Sequence, residues 1–309
     1  MQIKGLNLHN EEPGKSAEDL TPRGESGKMI KLNLRTKLIH LFAVAIVLSM
    51  TPVDLLATWS VIAVDARTGR IVIASATCVP QARLIRGDAT GLMNIQAIVV
   101  PGVGIAAAQA GVDRTRQNQN LIYAEMKKGT DPAMIIEMLS IDPDFQRRQF
   151  GIVDLEGRMA GFSGSGNSAA SLSVQGRLPN QDIYFSIQGN ILASDDVVYQ
   201  AVSRFMSAEG TLTDRVIAAM EGADEAGGDV RCTCETEPVV EAVCHGRNAH
   251  VAYILASDPS DTEGASFNDG QYAMFIDVTD QNILPHENGN PVLTLTQRYG
   301  AWKSSRRKP

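Results

Sequence analysis

Aromatic residues are scarce in this chain, at 5% of 309 positions with two tryptophans. Surfaces that hold nucleic acid by base stacking draw on such rings. A basic surplus is missing too: 28 Lys and Arg stand against 35 Asp and Glu, for a net charge of -7. A field of that sign repels phosphate backbones and anionic lipid, so no nucleic-acid partner is expected. The one basic cluster, Lys303, Arg306, Arg307 and Lys308 near the C-terminus, fits a solvated tail. No apolar run reaches the about 20 residues of a stable membrane crossing. Cysteine is limited to Cys78, Cys232, Cys234 and Cys244, and Cys232-Thr233-Cys234 lacks the C-x2-C spacing of a zinc knuckle. His245, His250 and His286 stand with no Ser or Cys in a recognised triad. Ser163-Gly164-Ser165-Gly166 resembles a short anion-cradling loop but has neither the Lys nor the spacing of a P-loop. No metal and no cofactor are expected.

What is present is apolar material and small residues. With 44% hydrophobic and 20% charged residues, the chain can bury the core of one or two domains. Residues 1 to 28 are polar and without period. From Met29 the pattern is that of a secretory signal. Lys31, Arg35 and Lys37 form a basic start, Leu38 to Leu48 is apolar, and Leu55-Leu56-Ala57 offers a small residue at the cut, although Leu55 is larger than the A-x-A pattern prefers. We expect 1–57 to be a polar leader plus signal peptide, 58–280 a domain, and 281–309 a loosely ordered tail. The first 57 residues hold seven basic and six acidic groups, so what remains, 21 basic and 29 acidic, is at -8. Export to the periplasm or the extracellular space is expected, with no membrane attachment after cleavage.

Past Thr58, strand pairs alternate with helix pairs. Trp59 to Asp65 and Arg70 to Thr77 flank a turn with Gly69, and Ile95 to Val100 and Val103 to Ala110 flank Pro101-Gly102. Helices are expected over Thr115 to Lys128 and from Asp131-Pro132 through Leu139. A third hairpin, Gln149 to Asp154 with Arg158 to Ser163, and a strand over Ile183 to Gln188 follow. Ser194-Asp195-Asp196 then opens a helix carrying Val197, Val198, Ala201, Val202 and Phe205, and Thr211 caps its partner through Met220. Val251 to Ala256 and Ala273 to Val278 close the set. Hairpins are antiparallel and the helices come in twos, which argues against βαβ units. The expected class is α+β, a four-layer αββα sandwich with two antiparallel sheets between helix pairs.

The residues themselves resemble a known family. Thr58-Trp59-Ser60-Val61-Ile62-Ala63-Val64-Asp65, Gly102-Val103-Gly104 with Gln109-Ala110, Arg148-Gln149-Phe150-Gly151-Ile152-Val153-Asp154, Gln188-Gly189-Asn190-Ile191-Leu192 and Gly227-Gly228-Asp229-Val230-Arg231 stand in the order seen in domain of unknown function 1028. That family is similar to the N-terminal nucleophile (Ntn) hydrolases, and the resemblance runs from Thr58 to about Ala256. It implies the αββα fold and amidohydrolase chemistry, without a substrate. The chain departs from the pattern at Val112-Asp113-Arg114, where an Asn-Pro-like turn is expected, and at Cys232-Thr233-Cys234, where many relatives carry Gly.

Cleavage after Ala57 would leave Thr58 with a hydroxyl and a free α-amine on one residue, a nucleophile with its own base. The plain alternative is that Thr58 begins a strand, where β-branched residues are favoured. Asn190 offers an amide as oxyanion donor and Gly189 a close backbone approach, or the two simply make a turn. Gln109 would bind a carbonyl or satisfy neighbouring backbone. Asp229 and Arg231 would clamp a substrate carboxylate or lock each other. In an oxidising compartment the four cysteines suit two disulfides, with Cys234 or Cys232 paired to Cys244 and Cys78 meeting the remaining thiol. Two functions follow: an exported amide (C–N bond) hydrolase acting on a small-molecule or peptide amide, or a secreted binding protein that keeps the fold without catalysis. Assembly into a homo-oligomer is left open by the sequence.

Overall fold

The computed structural model describes residues 55, 56 and 58–306. The leader and signal peptide expected over 1–57, Leu55 and Leu56 apart, and the final residues with Arg307 and Lys308 lie outside the described residues. All that follows belongs to one compact unit, Val53–Pro309.

The chain is mixed α+β, with two antiparallel sheets and, among the described residues, seven α-helices. In order, the elements are β1 (Leu55–Leu56), β2 (Thr58–Asp65), β3 (Arg70–Thr77), α1 (Gln81–Leu84), α2 (Leu92–Gln96), β4 (Ala97–Val100), β5 (Gly104–Gly111), α3 (Gln117–Lys127) and α4 (Pro132–Leu139). Then come β6 (Arg148–Asp154), β7 (Met159–Ser163), β8 (Leu172–Arg177), β9 (Ile183–Asn190), α5 (Asp196–Ser207), α6 (Leu212–Glu225), β10 (Val251–Ser257), β11 (Met274–Thr279) and α7 (Pro291–Ser305). One sheet runs β1-β5-β6-β7 with β4 also on β5, and the other runs β11-β10-β3-β2-β9-β8.

Local chemistry accounts for the element ends. Gly69 at φ 75° closes the β2–β3 hairpin in the left-handed region that glycine adopts without strain. Asp131 accepts from the Ala133 N–H with Pro132 in the first turn of α4, and Thr211 and Asp214 form a capping box on α6. The cores follow from period-2 alternation. From β2, Trp59, Val61 and Ala63 pack with Val197, Phe205, Val216 and Met220 of α5 and α6, while Ile62 and Val64 join Ile73, Ile105 and Val153 between the sheets. On the far side, Ile98, Ala106, Phe150 and Ile152 meet Ile122, Met126, Ile135 and Leu139 of α3 and α4.

Two expectations are corrected and one strand is added. The tail at 281–309 is not loose through its length, since Pro291–Ser305 forms a helix capped by Asn290 that buries Val292, Leu295 and Tyr299. Its apolar residues look sparse because α7 covers a sheet with few of them. Residues 95–96 end a short helix instead of beginning a strand. Leu172–Arg177, which the sequence reading leaves unassigned, is strand β8 at a sheet edge, where Ser173, Gln175 and Gly176 dilute the apolar signal.

Candidate functional site

Between the sheets, apolar packing gives way at one end to polar side chains. The same alternation that directs Ile62 and Val64 inward does so for Thr58 and Ser60, and Gln109 and Gln149 follow suit on β5 and β6. Thr58 is the first residue of β2 and pairs with Thr77 on one side and Asn190 on the other. It is buried, 1% exposed, and its Oγ1 lies 3.4 Å from Thr77 Oγ1.

A chain of carboxamides from the opposite sheet reaches it. Gln109 Nε2 donates to the Thr58 carbonyl at 3.1 Å and to Gln149 Oε1 at 2.7 Å. Gln109 Oε1 accepts from Ser60 Oγ at 2.7 Å and from Gln96 Nε2 at 2.5 Å, and Gln96 Oε1 accepts from the Tyr253 hydroxyl at 3.0 Å. Burial holds the Tyr253 phenol well above its ordinary 10, so it acts as a neutral donor. Gln149 Nε2 donates to the Gly189 carbonyl at 2.8 Å and to Ser163 Oγ at 3.0 Å. The sheets approach closely here: a Cβ on Gly151 would stand 2.5 Å from Gln188 Oε1. Apart from the half-buried Ser163, these groups are buried, and pairing offsets the desolvation that burial costs.

Asn190 is buried beside Thr58, with Nδ2 donating to Gln149 Oε1 at 3.2 Å and Oδ1 without a hydrogen-bond partner. Gly189 serves close packing, since a Cβ there would lie 2.6 Å from Leu192 Cδ1. The backbone after each of two site residues is in the left-handed region: Ala110 at φ 72° follows Gln109, and Ile191 at φ 54° follows Asn190. Non-glycine residues held there cost on the order of 1 kcal/mol or more and concentrate at functional sites.

Asp229 and Arg231 are held by each other. Arg231 Nε donates to Asp229 Oδ1 at 3.0 Å and Nη2 to Oδ2 at 2.7 Å, and the fully buried carboxylate also accepts from the Cys78 N–H at 3.1 Å. The pair thus braces the end of β3, one residue past Thr77. Cys78 bonds to Cys232 and Cys234 to Cys244, which selects one of the pairings the sequence left open. Thr58, Gln109, Gly189 and Asn190 therefore meet in one cluster, with Asp229 and Arg231 on its supporting wall. Sequence reasoning assigned no role to Gln149, Gln96, Ser60, Thr77 or Tyr253. The signal was available: a glutamine inside a continuous apolar strand, as in Gly104–Gly111 and Arg148–Asp154, must find a partner when the strand is buried.

Among the described residues no group of three or more His, Cys, Asp or Glu is placed to hold a metal, and no helix is long and apolar enough to cross a membrane. The site, Tyr253 of β10 apart, falls within residues 58–236, which match the family model "Family of unknown function (DUF1028)". The chain belongs to that family. The match begins at Thr58, and the family carries no assigned activity to transfer. A solved structure with the same fold is that of protein SPO2555 from Silicibacter pomeroyi, also of the DUF1028 family. It is 20% identical with a TM-score of 0.55, over 79% of this chain and 88% of that one. Among curated proteins none matches.

Proposed function

We propose that this DUF1028 member is an exported amide hydrolase of the N-terminal nucleophile type, with a four-layer αββα arrangement and Thr58 as nucleophile. The observation that carries this is the position of Thr58, first in a central strand, on the inter-sheet face, between Thr77 and Asn190, with Gln109 on its carbonyl. The secretory pattern ending at Ala57 adds support, and two disulfides suit an oxidising compartment.

In the uncut chain the Thr58 nitrogen is an amide and has no basic lone pair. Cleavage of the Ala57–Thr58 bond would release an α-amine with an ordinary pKa of about 7.7–8.0. That amine takes the hydroxyl proton as Oγ1 attacks the substrate carbonyl carbon. The C–N bond breaks as the proton passes to the departing amine, leaving an ester on Thr58. Water then hydrolyses the ester, with the α-amine again carrying the proton, and Thr58 is restored. The second Asn190 Nδ2 hydrogen is the candidate donor to the oxyanion.

A second function, a binding protein that keeps this fold without turnover, is favoured by one observation: Gln109, Gln149 and Asn190 already spend amide donors on one another and on backbone. Mass spectrometry of the mature secreted N-terminus tests the hydrolase first. A start at Thr58, followed by covalent labelling with a β-lactone that Thr58→Ala abolishes, is the expected result. A start elsewhere, or labelling that survives Thr58→Ala, sinks the nucleophile.

A further inference from the structure

Strand β5 carries two partners along one edge. Its other edge is paired with β6 from Gly104 to Ala110, so β4 and β1 share the side that remains. β4 takes Gly104 to Ala107, and β1 takes Ala110 and Gly111 through Leu56 and Leu55, antiparallel to β5. In the chain a single residue, Ala57, separates Leu56 from Thr58. A two-residue strand is thus seated on β5 directly ahead of the candidate nucleophile.

That seat is held from behind. The Gly111 carbonyl accepts from Arg148 Nη1 at 2.6 Å, and Arg148 Nε is itself fixed on Asp142 Oδ2 at 2.8 Å. A Cβ on Gly111 would stand 2.8 Å from the Arg147 carbonyl oxygen, so the chain entering β6 packs against this end of β5 without clearance. Release of Leu55–Leu56 would leave the edge in place with backbone N–H and C=O groups unpaired. Such an edge is the template on which an extended peptide adds as a strand.

Open volume continues in the same direction. A small cavity is lined by Gln109, Gly111 and Val112, and a second of about 290 Å³ shares Val112 with it and has Val79, Ala89 and Ile95 in its wall. Leu55 stands opposite Gly111, so one further step of the register would set the preceding residue of a bound peptide opposite Val112, at these cavities.

We propose that the substrate of this site is an extended peptide, taken up antiparallel to Ala110–Gly111 in the place of β1, with the carbonyl of its next residue delivered to Thr58. Chain length sets the reach, since one extended residue spans about 3.3–3.6 Å and one residue is all that separates Leu56 from Thr58. Naming the peptide a substrate rests on the hydrolase proposal; strand addition at Ala110–Gly111 needs only the release of Leu55–Leu56.

Binding is read by calorimetry on the secreted protein and on its Thr58→Ala variant, which separates docking from turnover. The probe is an acetylated peptide of residues 53–57 ending in a carboxamide, with two further versions N-methylated at the Leu55 or at the Leu56 amide. Saturable binding of the parent peptide to both proteins is expected. Alternate amides of a strand face its neighbour, so one methylated form should bind about tenfold more weakly or worse and the other nearly as the parent does. Hydrogen exchange should slow at residues 108–112 on peptide addition, and not in β8 or β11, the edge strands of the other sheet. No saturable binding, no difference between the two methylated forms, protection confined to other segments, or a mature chain that keeps Leu55 and Leu56 overturns the proposal. Peptide binding by a protein that the β-lactone fails to label sinks the nucleophile and leaves the strand site standing, and labelling without peptide binding does the reverse.

Discussion

Gln109 Nε2 donates to the Thr58 carbonyl across 3.1 Å, and the two residues belong to different sheets. The first residue of β2 is thus fixed by the strand that faces it as well as by its ladder neighbours Thr77 and Asn190. Thr58 is thereby held from three directions.

Removing that tie should be costly. Gln109→Leu keeps the approximate volume but strips partners from Ser60 Oγ, Gln96 Nε2, the Thr58 carbonyl and Gln149 Oε1. Each buried group left unpaired costs about 1–3 kcal/mol, part of which rearrangement recovers, so a loss of roughly 2–5 kcal/mol is expected in urea unfolding. A change below about 0.5 kcal/mol would show that the network is not a structural tie.

The pH dependence of stability should carry the mark of His250, which is buried and has its pKa pushed down to about 4 from an ordinary 6.5, first by burial and then by Arg247 and Arg231. The unfolded chain takes up this proton below 6.5 and the folded chain only near 4, so the contribution is intact above 6.5 and is lost as pH falls to 4. Asp224 opposes it. Burial raises its carboxyl from 3.8 to about 6, despite donors from Asn290 and Asn248, so folding favours its protonated form and stability falls as pH rises from 4 to 6. His250→Gln should therefore gain stability relative to the wild type as pH is lowered from 6.5 to 4, by up to about 3 kcal/mol. Parallel unfolding profiles for the two proteins over that range would contradict the burial of a neutral imidazole.

The disulfides should differ in weight. Cys78–Cys232 spans 154 residues and Cys234–Cys244 spans 10. Loop entropy assigns about 5 kcal/mol to the first and about 3 to the second. Cys78→Ser with Cys232→Ser should lower the denaturation midpoint further than Cys234→Ser with Cys244→Ser, and the reverse order would mean that native packing outweighs loop closure. Intact mass should rise by about four hydrogens on reduction.

Processing should depend on Leu55. A large residue three positions before the cut disfavours signal cleavage, so Leu55→Ala should raise the fraction of secreted chains that begin at Thr58, read by N-terminal mass spectrometry. Leu55–Leu56 also pairs with Gly111 and Ala110 of β5. Backbone pairing survives the substitution, so an unchanged fraction would show that sequence at the cut is not what limits cleavage.

Much of the fold was legible along the chain. Gly69 and Gly102 mark hairpins, Asp131-Pro132 and Thr211 with Asp214 mark helix starts, and alternation in Thr58–Asp65 separates the two faces of one strand. Those signals are local, governed by φ preference, capping and side-chain period, so they survive without tertiary context. The helix Pro291–Ser305 escaped because Val292, Leu295 and Tyr299 gain their partners only from a distant sheet.

The candidate site divides the same way. By itself the sequence determined that Thr58 opens a strand behind a secretory pattern, and that glutamines interrupt apolar strands at 109, 149 and 188. It could not determine which partners those glutamines take, because a carboxamide is satisfied by any donor and acceptor within reach. Only the packing of one sheet on the other decided that Gln109 meets Thr58 and that Gln149 meets Asn190 and Gly189. Residues 40 to 51 apart in sequence became neighbours because burial left these polar groups no water and only one another and nearby backbone as partners.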